Sequence, residues 1–380
     1  MKIIYISAGI IPSERANTIQ VMKVCQAFAQ LGQSVTLLVP ATGGERPGWD
    51  ELAEHYGLKT RFDIQYVPVK RVFKKRDFPW QALRISRRLG GELIYARSTP
   101  SAVLGLILRL PVVLEMHQMP TGTFGRIWFR LFLRLKGRKK LVPITRALTR
   151  ALDKRYSLNL GEDQIIVAPS GVDLDRFADL PDTITARSQL NLHEGRTVVC
   201  TGHLYAGRGL DLVMNLARRM PEMNFVWVGG GSRDVEEGRS QVVKAGLQNL
   251  NLVGFVINSR LPIYQAAADA LLIPYAAGFT NSGGEDISTV SSPMKIFEYM
   301  ASGRVILSSD LPVLHEVLNE KNAIFCPPDE PDAWELALRH LQLEPQFGRQ
   351  LADQARLDAE KYSWIERSRL ILAGFMDGAA

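Results

Sequence analysis

Ser291-Ser-Pro-Met-Lys-Ile-Phe-Glu298-Tyr-Met-Ala-Ser-Gly303 carries the densest set of structural signals in the chain. It reads as a loop that turns into a short helix and then a buried strand. Ser291, Ser292 and Pro293 form a start signal. Ile296, Phe297, Met300 and Ala301 place apolar side chains one turn apart, Gly303 is a stop, and Val305-Ile-Leu307 has a strand's composition. A helix start carries unpaired N–H groups and partial positive charge. Lys295 adds a full cation to that first turn, against the dipole. Two readings are open. One is a solvated surface helix. In the other, an anion such as a diphosphate docks at this end, and Glu298 accepts hydrogen bonds from the hydroxyls of a ribose or sugar.

The totals bound the answer. At 380 residues the chain is long for one hydrophobic core, so two domains are expected. Apolar residues make up 46% and charged residues 22%, as in an ordinary globular protein. Cys25, Cys200 and Cys326 lie far apart in or beside apolar runs, without metal-ligand spacing, and read as buried free thiols of a reducing compartment. The N-terminus enters a strand directly, with no signal-peptide pattern. No apolar run reaches the ~18–20 residues that span a bilayer. The expected location is the cytoplasm, with a peripheral position on the inner face of the membrane as an option. The net charge of +7 is uneven: residues 1–180 hold 28 Lys and Arg against 15 Asp and Glu (+13), and the remainder 18 against 24 (−6). The first half therefore faces something anionic.

Along the chain, strand and helix signals alternate. Residues 2–7 read as a buried parallel strand, 18–31 as an amphipathic helix stopped by Gly32, and Val35–Val39 as a second strand. Such βαβ units build parallel sheets with ligands at the strand C-termini. No GxGxxG stands in the first loop, so no dinucleotide is indicated. Residues 40–60 read as loop and a short helix. Leu93–Tyr95 and Val112–Leu114 are further strands; Arg97 follows the first, and Glu115, Met116 and His117 the second. In the first loop, Arg15 is placed to meet an anion and Asn17 a hydroxyl; a plain polar loop is the other reading. The second half repeats the alternation. Strands at Thr197–Thr201, Phe225–Val228 (followed by Gly229-Gly230-Gly231), Leu252–Val256, Ala270–Pro274 and Asn322–Cys326 are each followed by a loop or helix.

Residues 124–140 carry Arg126, Arg130, Arg134 and Arg138 four apart, with Ile127, Trp128, Leu131, Phe132 and Leu135 between them. No acidic residue lies between Glu115 and Asp153. On one helix this gives a basic face beside an aromatic-apolar face: a peripheral helix on anionic lipid, or a core helix with a solvated Arg stripe. A second basic cluster, residues 70–76, is placed to share such a surface. A nucleic-acid partner is not indicated, since no binding module is recognisable.

Three ordered signals carry a resemblance to family 4 glycosyltransferases, retaining enzymes of the GT-B fold. Glu298-Tyr-Met-Ala-Ser-Gly303 resembles the second half of the family's nucleotide-sugar motif. The Glu that the family carries eight residues earlier is Val290 here. Gly202-His-Leu-Tyr-Ala-Gly-Arg208-Gly209 resembles the family's Gly-Arg-Leu…Lys-Gly loop, with His203 in the Arg position and Arg208 in the Lys position. Ile165–Phe177 resembles the junction turn, with Ser170 for the usual Asn. Arg15-Ala16 falls where many members have Gly-Gly, and members carry a His at the strand end where His117 stands. Tyr362-Ser-Trp364 resembles the point where a final helix crosses back.

The resemblance implies an α/β architecture of two Rossmann-like, doubly wound parallel-sheet domains facing a central cleft: an acceptor-side domain (1–180), a donor domain (195–362) and a returning C-terminal helix (363–380). It implies transfer of a sugar, with retention, from a UDP- or GDP-type nucleoside diphosphate sugar to a glycan or lipid-linked acceptor, as in cell-surface polysaccharide or glycolipid synthesis. His117, Arg208, Lys295 and Glu298 take the catalytic roles. His203, Gly230, Gly254, Phe255, Val256, Ser292 and Met294 bind the donor, and Arg15, Asn17 and Arg97 the acceptor. No cofactor and no metal are expected, and no Asp-x-Asp metal site stands on a suitable loop. Val290 and His203 motivate a contrasting reading: a non-catalytic module that binds a nucleotide sugar or glycan and acts through a partner. A sugar-nucleotide epimerase is a third reading, and it too lacks the first Glu.

Overall fold

Ile3 to Ile6 are wholly buried, and this apolar run is the centre of the first of two six-stranded sheets. The computed structural model describes residues 1–41, 46–69, 77–280, 284 and 286–375. The basic cluster at 70–76 therefore lies outside the described residues. The chain divides into two units, Met1–Pro169 with Trp364–Ala380, and Ser170–Ser363.

The first unit runs β1 (Lys2–Ile6), α1 (Ala16–Gln30), β2 (Ser34–Ala41), α2 (Trp49–Tyr56), β3 (Asp63–Pro68), α3 (Phe78–Arg88), β4 (Leu93–Ala96), α4 (Thr99–Ile107), β5 (Val112–Met116), α5 (Gly122–Arg134), β6 (Lys139–Pro143) and α6 (Arg146–Tyr156). All strands pair in parallel, in the order β3-β2-β1-β4-β5-β6. The second unit runs α7 (Thr183–Gln189), β7 (Thr197–Thr201), α8 (Leu210–Arg219), β8 (Asn224–Val228), α9 (Ser232–Lys244), β9 (Leu250–Gly254), α10 (Leu261–Ala266), β10 (Ala270–Ile273), α11 (Met294–Ala301), β11 (Val305–Ser309), β12 (Ile324–Cys326), α12 (Pro331–Leu343) and α13 (Pro345–Ala359). Its sheet, also parallel, has the order β12-β11-β10-β7-β8-β9. The last helix, α14 (Trp364–Leu372), belongs to the first unit.

Both orders are the same doubly wound pattern, read outward from the first strand of each unit. The strand order reverses between β1 and β4 in one sheet and between β7 and β10 in the other. Open parallel sheets hold ligands outside the strand C-termini at that reversal. The loops after β1, β4 and β5, and those after β7 and β10, are thus where chemistry is expected.

Four differences from the sequence reading have local causes. The edge strand β3 was not read; its side chains alternate between exposed and part-buried, a weak apolar signal. Glu115 and Met116 lie inside β5 rather than beyond its tip. The helix read over 124–140 ends at Arg134. Gly137 (φ +138°) turns the chain there, and Lys139 and Lys140 open β6. Finally, the boundary at 180 moves to Pro169. The junction turn is held to the second unit by Ser170 on Ser292 and by the Val172 N–H on the Tyr362 carbonyl (3.0 Å).

Candidate active site

In the second unit the site grows from close backbone packing. The loop after β7 lies directly on the segment after β10: Ala276 N–H donates to Gly207 O (2.9 Å) and Thr280 N–H to Ala206 O (3.2 Å). Gly209 caps α8 at φ +96°, and a Cβ there would stand 1.9 Å from the Pro274 carbonyl oxygen. Only glycine allows that approach.

This packing delivers Arg208 to an aromatic floor. Its guanidinium carbon lies 4.8 Å from the Tyr275 ring centroid and 4.6 Å from that of Phe279. Its Nη2 donates to Thr280 O at 3.0 Å, and its Nε is buried without a partner among the described residues. Lys295, in the first turn of α11, is 9% exposed. Its Nζ donates to Thr201 O (2.8 Å) and lies 4.6 Å from the same Tyr275 ring. From the next turn, the Tyr299 hydroxyl accepts the Thr201 N–H at 2.7 Å. Two cations thus share one aromatic ring, and among the described residues neither pairs with a carboxylate. Like charges brought together without a counter-ion destabilise a fold unless an anion sits between them. The first N–H groups of α11, at Met294 and Lys295, have no intrahelical partner and point the same way as the dipole's positive end.

The other expected donor residues are placed as follows. Glu298, half-buried one turn after Lys295, accepts from Gln265 Nε2 at 3.3 Å. Gln265 is fully buried and among the described residues its Oε1 has no partner. His203 stacks on Tyr205 with centroids 4.9 Å apart and planes at 7°. Gly230 (φ +105°) has Val235 and Leu204 against it. The Gly254 carbonyl takes the Gly229 N–H at 2.7 Å, so that oxygen is turned to the sheet, and half-buried Phe255 and Val256 follow it. Ser292 differs from expectation. Its Oγ accepts the Ser170 N–H (3.1 Å) and its carbonyl the Ser170 hydroxyl (2.8 Å), so its side chain serves the junction turn. Val290 is buried.

Sequence reading missed Tyr275, Phe279, Tyr299 and Gln265. The signal for Tyr275 was its place directly after the buried run Ala270–Pro274, at the strand's ligand end. Nothing local marks Gln265 among its alanines.

The first unit holds its own cavity, about 770 Å³, at the ends of β1, β4 and β5. Arg15, Asn17, Arg97 and His117 all line it, with Glu115 at its floor. Arg15 and Asn17 are exposed at the start of α1; Arg97 Nη1 donates to the Asn17 carbonyl at 2.7 Å. Glu115 is 0% exposed and saturated with donors. Its Oε1 takes Gln20 Nε2 (3.1 Å) and His117 Nε2 (2.5 Å). Its Oε2 takes the Tyr95 hydroxyl and Arg367 Nη2 (2.8 Å). Burial alone would raise the carboxyl's pKa; Arg367, then His117 and Arg97, overcome this and hold it well below the usual range. Burial, then the Arg97 charge, lowers the His117 imidazole to about 4 against the opposing pull of Glu115. Arg367, from α14, also donates to the Pro169 carbonyl (2.6 Å), and burial is outweighed by Glu115 in keeping it charged. The sequence offered no sign that Glu115 and Arg367 meet. No group of His, Cys, Asp and Glu suited to a metal occurs among the described residues.

Comparison with known proteins bears on the family and the fold. The family model for glycosyltransferase family 4 matches residues 18–176, and that for glycosyl transferases group 1 matches residues 195–343. The alpha-galactosylglucosyldiacylglycerol synthase of Streptococcus pneumoniae is 23% identical over 84% of this chain and 78% of its own. The phosphatidyl-myo-inositol mannosyltransferase of Mycobacterium tuberculosis is 27% identical over 60% of this chain, which spans 56% of that protein. Among solved structures, HepE of Anabaena in complex with UDP and glucose superposes with a TM-score of 0.76 at 16% identity, covering 100% of both chains. Sucrose-phosphate synthase of Thermosynechococcus elongatus gives 0.77 at 17% identity, covering 99% of this chain and 98% of that one. Two family models in series along one chain, each matching a unit with the doubly wound order, place this protein in the group 1/family 4 glycosyltransferases of the GT-B fold.

Proposed function

We propose that this protein is a retaining, hexosyltransferase-type enzyme that moves a sugar from a UDP- or GDP-type donor to a glycan or lipid-linked acceptor without a metal. The observation that carries this reading is the paired cation site: Arg208 and Lys295 over Tyr275, unpaired with acid, beside the N-terminus of α11. A diphosphate is the anion that fits two cations and a helix N-terminus together. The same groups stabilise the leaving diphosphate as the glycosidic bond breaks, because they are already oriented before charge develops. Arg208 Nε, buried and without a partner among the described residues, is a donor that the ligand would satisfy. Glu298, steadied by Gln265, would take the ribose hydroxyls. The acceptor would enter the first unit's cavity by Arg15, Asn17, Arg97 and His117.

The names of the relatives, a glycolipid synthase and a lipid mannosyltransferase, favour a lipid-linked acceptor. The exposed side of α5 supports work at an anionic membrane. Phe124 (73% exposed) and Ile127 (51%) lie on the same helix as Arg126, Arg130 and Arg134. No described helix is long and apolar enough to cross a bilayer.

The test is calorimetric titration with UDP and GDP, in EDTA and in Mg²⁺. One nucleotide should bind equally in both, and Arg208→Ala should weaken it at least a hundredfold. Undiminished affinity in Arg208→Ala would refute the diphosphate assignment.

A further inference from the structure

The first unit's cavity contains a hydrogen-bonded arrangement that the proposed transfer does not by itself require. We propose that Glu115 is a positioning residue: it holds His117 as the Nε2–H tautomer, so that the Nδ1 lone pair is presented to a hydroxyl of the substrate in this cavity. The inference rests on reading the cavity as a substrate site.

The argument is one of donors and acceptors. Two guanidiniums, Arg367 at 2.8 Å and Arg97 at 3.9 Å, flank the Glu115 carboxylate and keep it ionised. An ionised carboxylate only accepts. The hydrogen in the 2.5 Å contact to His117 must therefore sit on Nε2. A third cation beside those two guanidiniums, with a side chain only 22% exposed, is disfavoured, so the ring is neutral. The low imidazole pKa agrees. The ring's remaining nitrogen, Nδ1, is then an acceptor, and among the described residues it has no protein partner. The other titratable groups facing the carboxylate, Tyr5 and Tyr95 from β1 and β4 and Cys25 from α1, are all held neutral by burial. Only Tyr95 donates to it, through its hydroxyl to Oε2. Carboxylates that orient histidines in this way fix the tautomer and the ring's direction.

The test reads the tautomer directly. The full chain is labelled with 15N-histidine, and His117 is assigned in long-range 1H–15N spectra by its loss in His117→Asn. From pH 5 to 8 the proton should stay on Nε2, with Nδ1 at the shift of an unprotonated nitrogen. An Nδ1–H tautomer or an imidazolium at pH 7 overturns the proposal. A second arm uses the double variant Glu115→Gln/Arg367→Met, which removes both buried charges together. Its His117 should show mixed tautomers. A single Nε2–H tautomer there would show that Glu115 does not set it. Nucleoside diphosphate release from a mixture of UDP- and GDP-hexoses, with a membrane lipid extract supplying hydroxyl acceptors and water as the default acceptor of the hexose, should fall on the order of tenfold in the double variant. Unchanged release would overturn the substrate-facing half of the proposal. Absence of release in the wild type would instead defeat the transferase reading and leave the tautomer result to decide on Glu115.

Discussion

A single nitrogen proton makes a prediction about stability. His117 has its pKa lowered to about 4 in the folded protein, whereas a free imidazole titrates near 6.5. Between those values the unfolded chain binds the extra proton, so stability falls as pH drops from 6.5 towards 4. The loss is on the order of 3 kcal/mol. Glu115, whose pKa is also lowered, acts in the same sense in a lower window: its stabilisation is intact above the ordinary carboxylate range and is lost only in stronger acid. Thermal melts of wild type and His117→Asn at pH 7.5 and pH 5 should differ in slope, with the variant losing less on acidification. Gly209 offers a sharper case. At φ +96° with the Pro274 oxygen 1.9 Å from any Cβ, Gly209→Ala should cost several kcal/mol and also displace Arg208. A melting temperature within ~2 °C of wild type would contradict this packing. At this scale the sequence was only partly legible. Lys295 and Glu298 were picked out by their offset from a helix start, and Arg208 only by the resemblance of its loop to the family's. Tyr275, Gln265 and the Glu115–Arg367 pair were not, because contacts across tens or hundreds of residues leave no local pattern.

Among the elements, α5 shows how an apparently continuous pattern is divided. Its Arg spacing of four persists past its end, but Lys139 does not extend the basic face. Lys139 Nζ turns inward and donates to the carbonyls of Phe132 (2.8 Å), Leu133 (2.8 Å) and Leu135 (2.7 Å). All three ammonium hydrogens are thereby used on the helix's C-terminal end. Lys139→Leu should destabilise the protein by about 1–3 kcal/mol through the abandoned carbonyls. The core-packed reading holds for one face of this helix, and the lipid-facing reading of the other is a proposal. Phe129 and Phe132 are fully buried, and Phe129→Ala should cost about 3–5 kcal/mol. Phe124 and Ile127 are exposed, so the double change to Ser should leave the melting temperature in place while reducing flotation with vesicles rich in anionic lipid. Equal flotation would remove the membrane role. Strands were legible where an apolar run is buried on both faces, as in β1, β7 and β11; β6, equally buried, was read into the preceding helix because it opens with Lys139 and Lys140. They were illegible at β3, where one side faces solvent and the alternation is shallow.

The whole molecule is two sheets of one design, but only one of its units is a continuous piece of chain. The second unit is complete from Ser170 to Ser363; the first lacks α14 until the end. Arg367 stands 252 residues after the carboxylate it neutralises, and Lys140, in β6, reaches the carbonyls at the end of α14. Synthesis on the ribosome runs in one direction. The sheet that emerges first must therefore wait, with Glu115 lacking its nearest guanidinium, while the sheet that emerges second can close at once. The order of birth and the order of completion are reversed. A chain stopped at Ser363 should yield a protease-resistant second unit and a digestible first one, and supplying residues 364–380 as a separate peptide should restore resistance to the first.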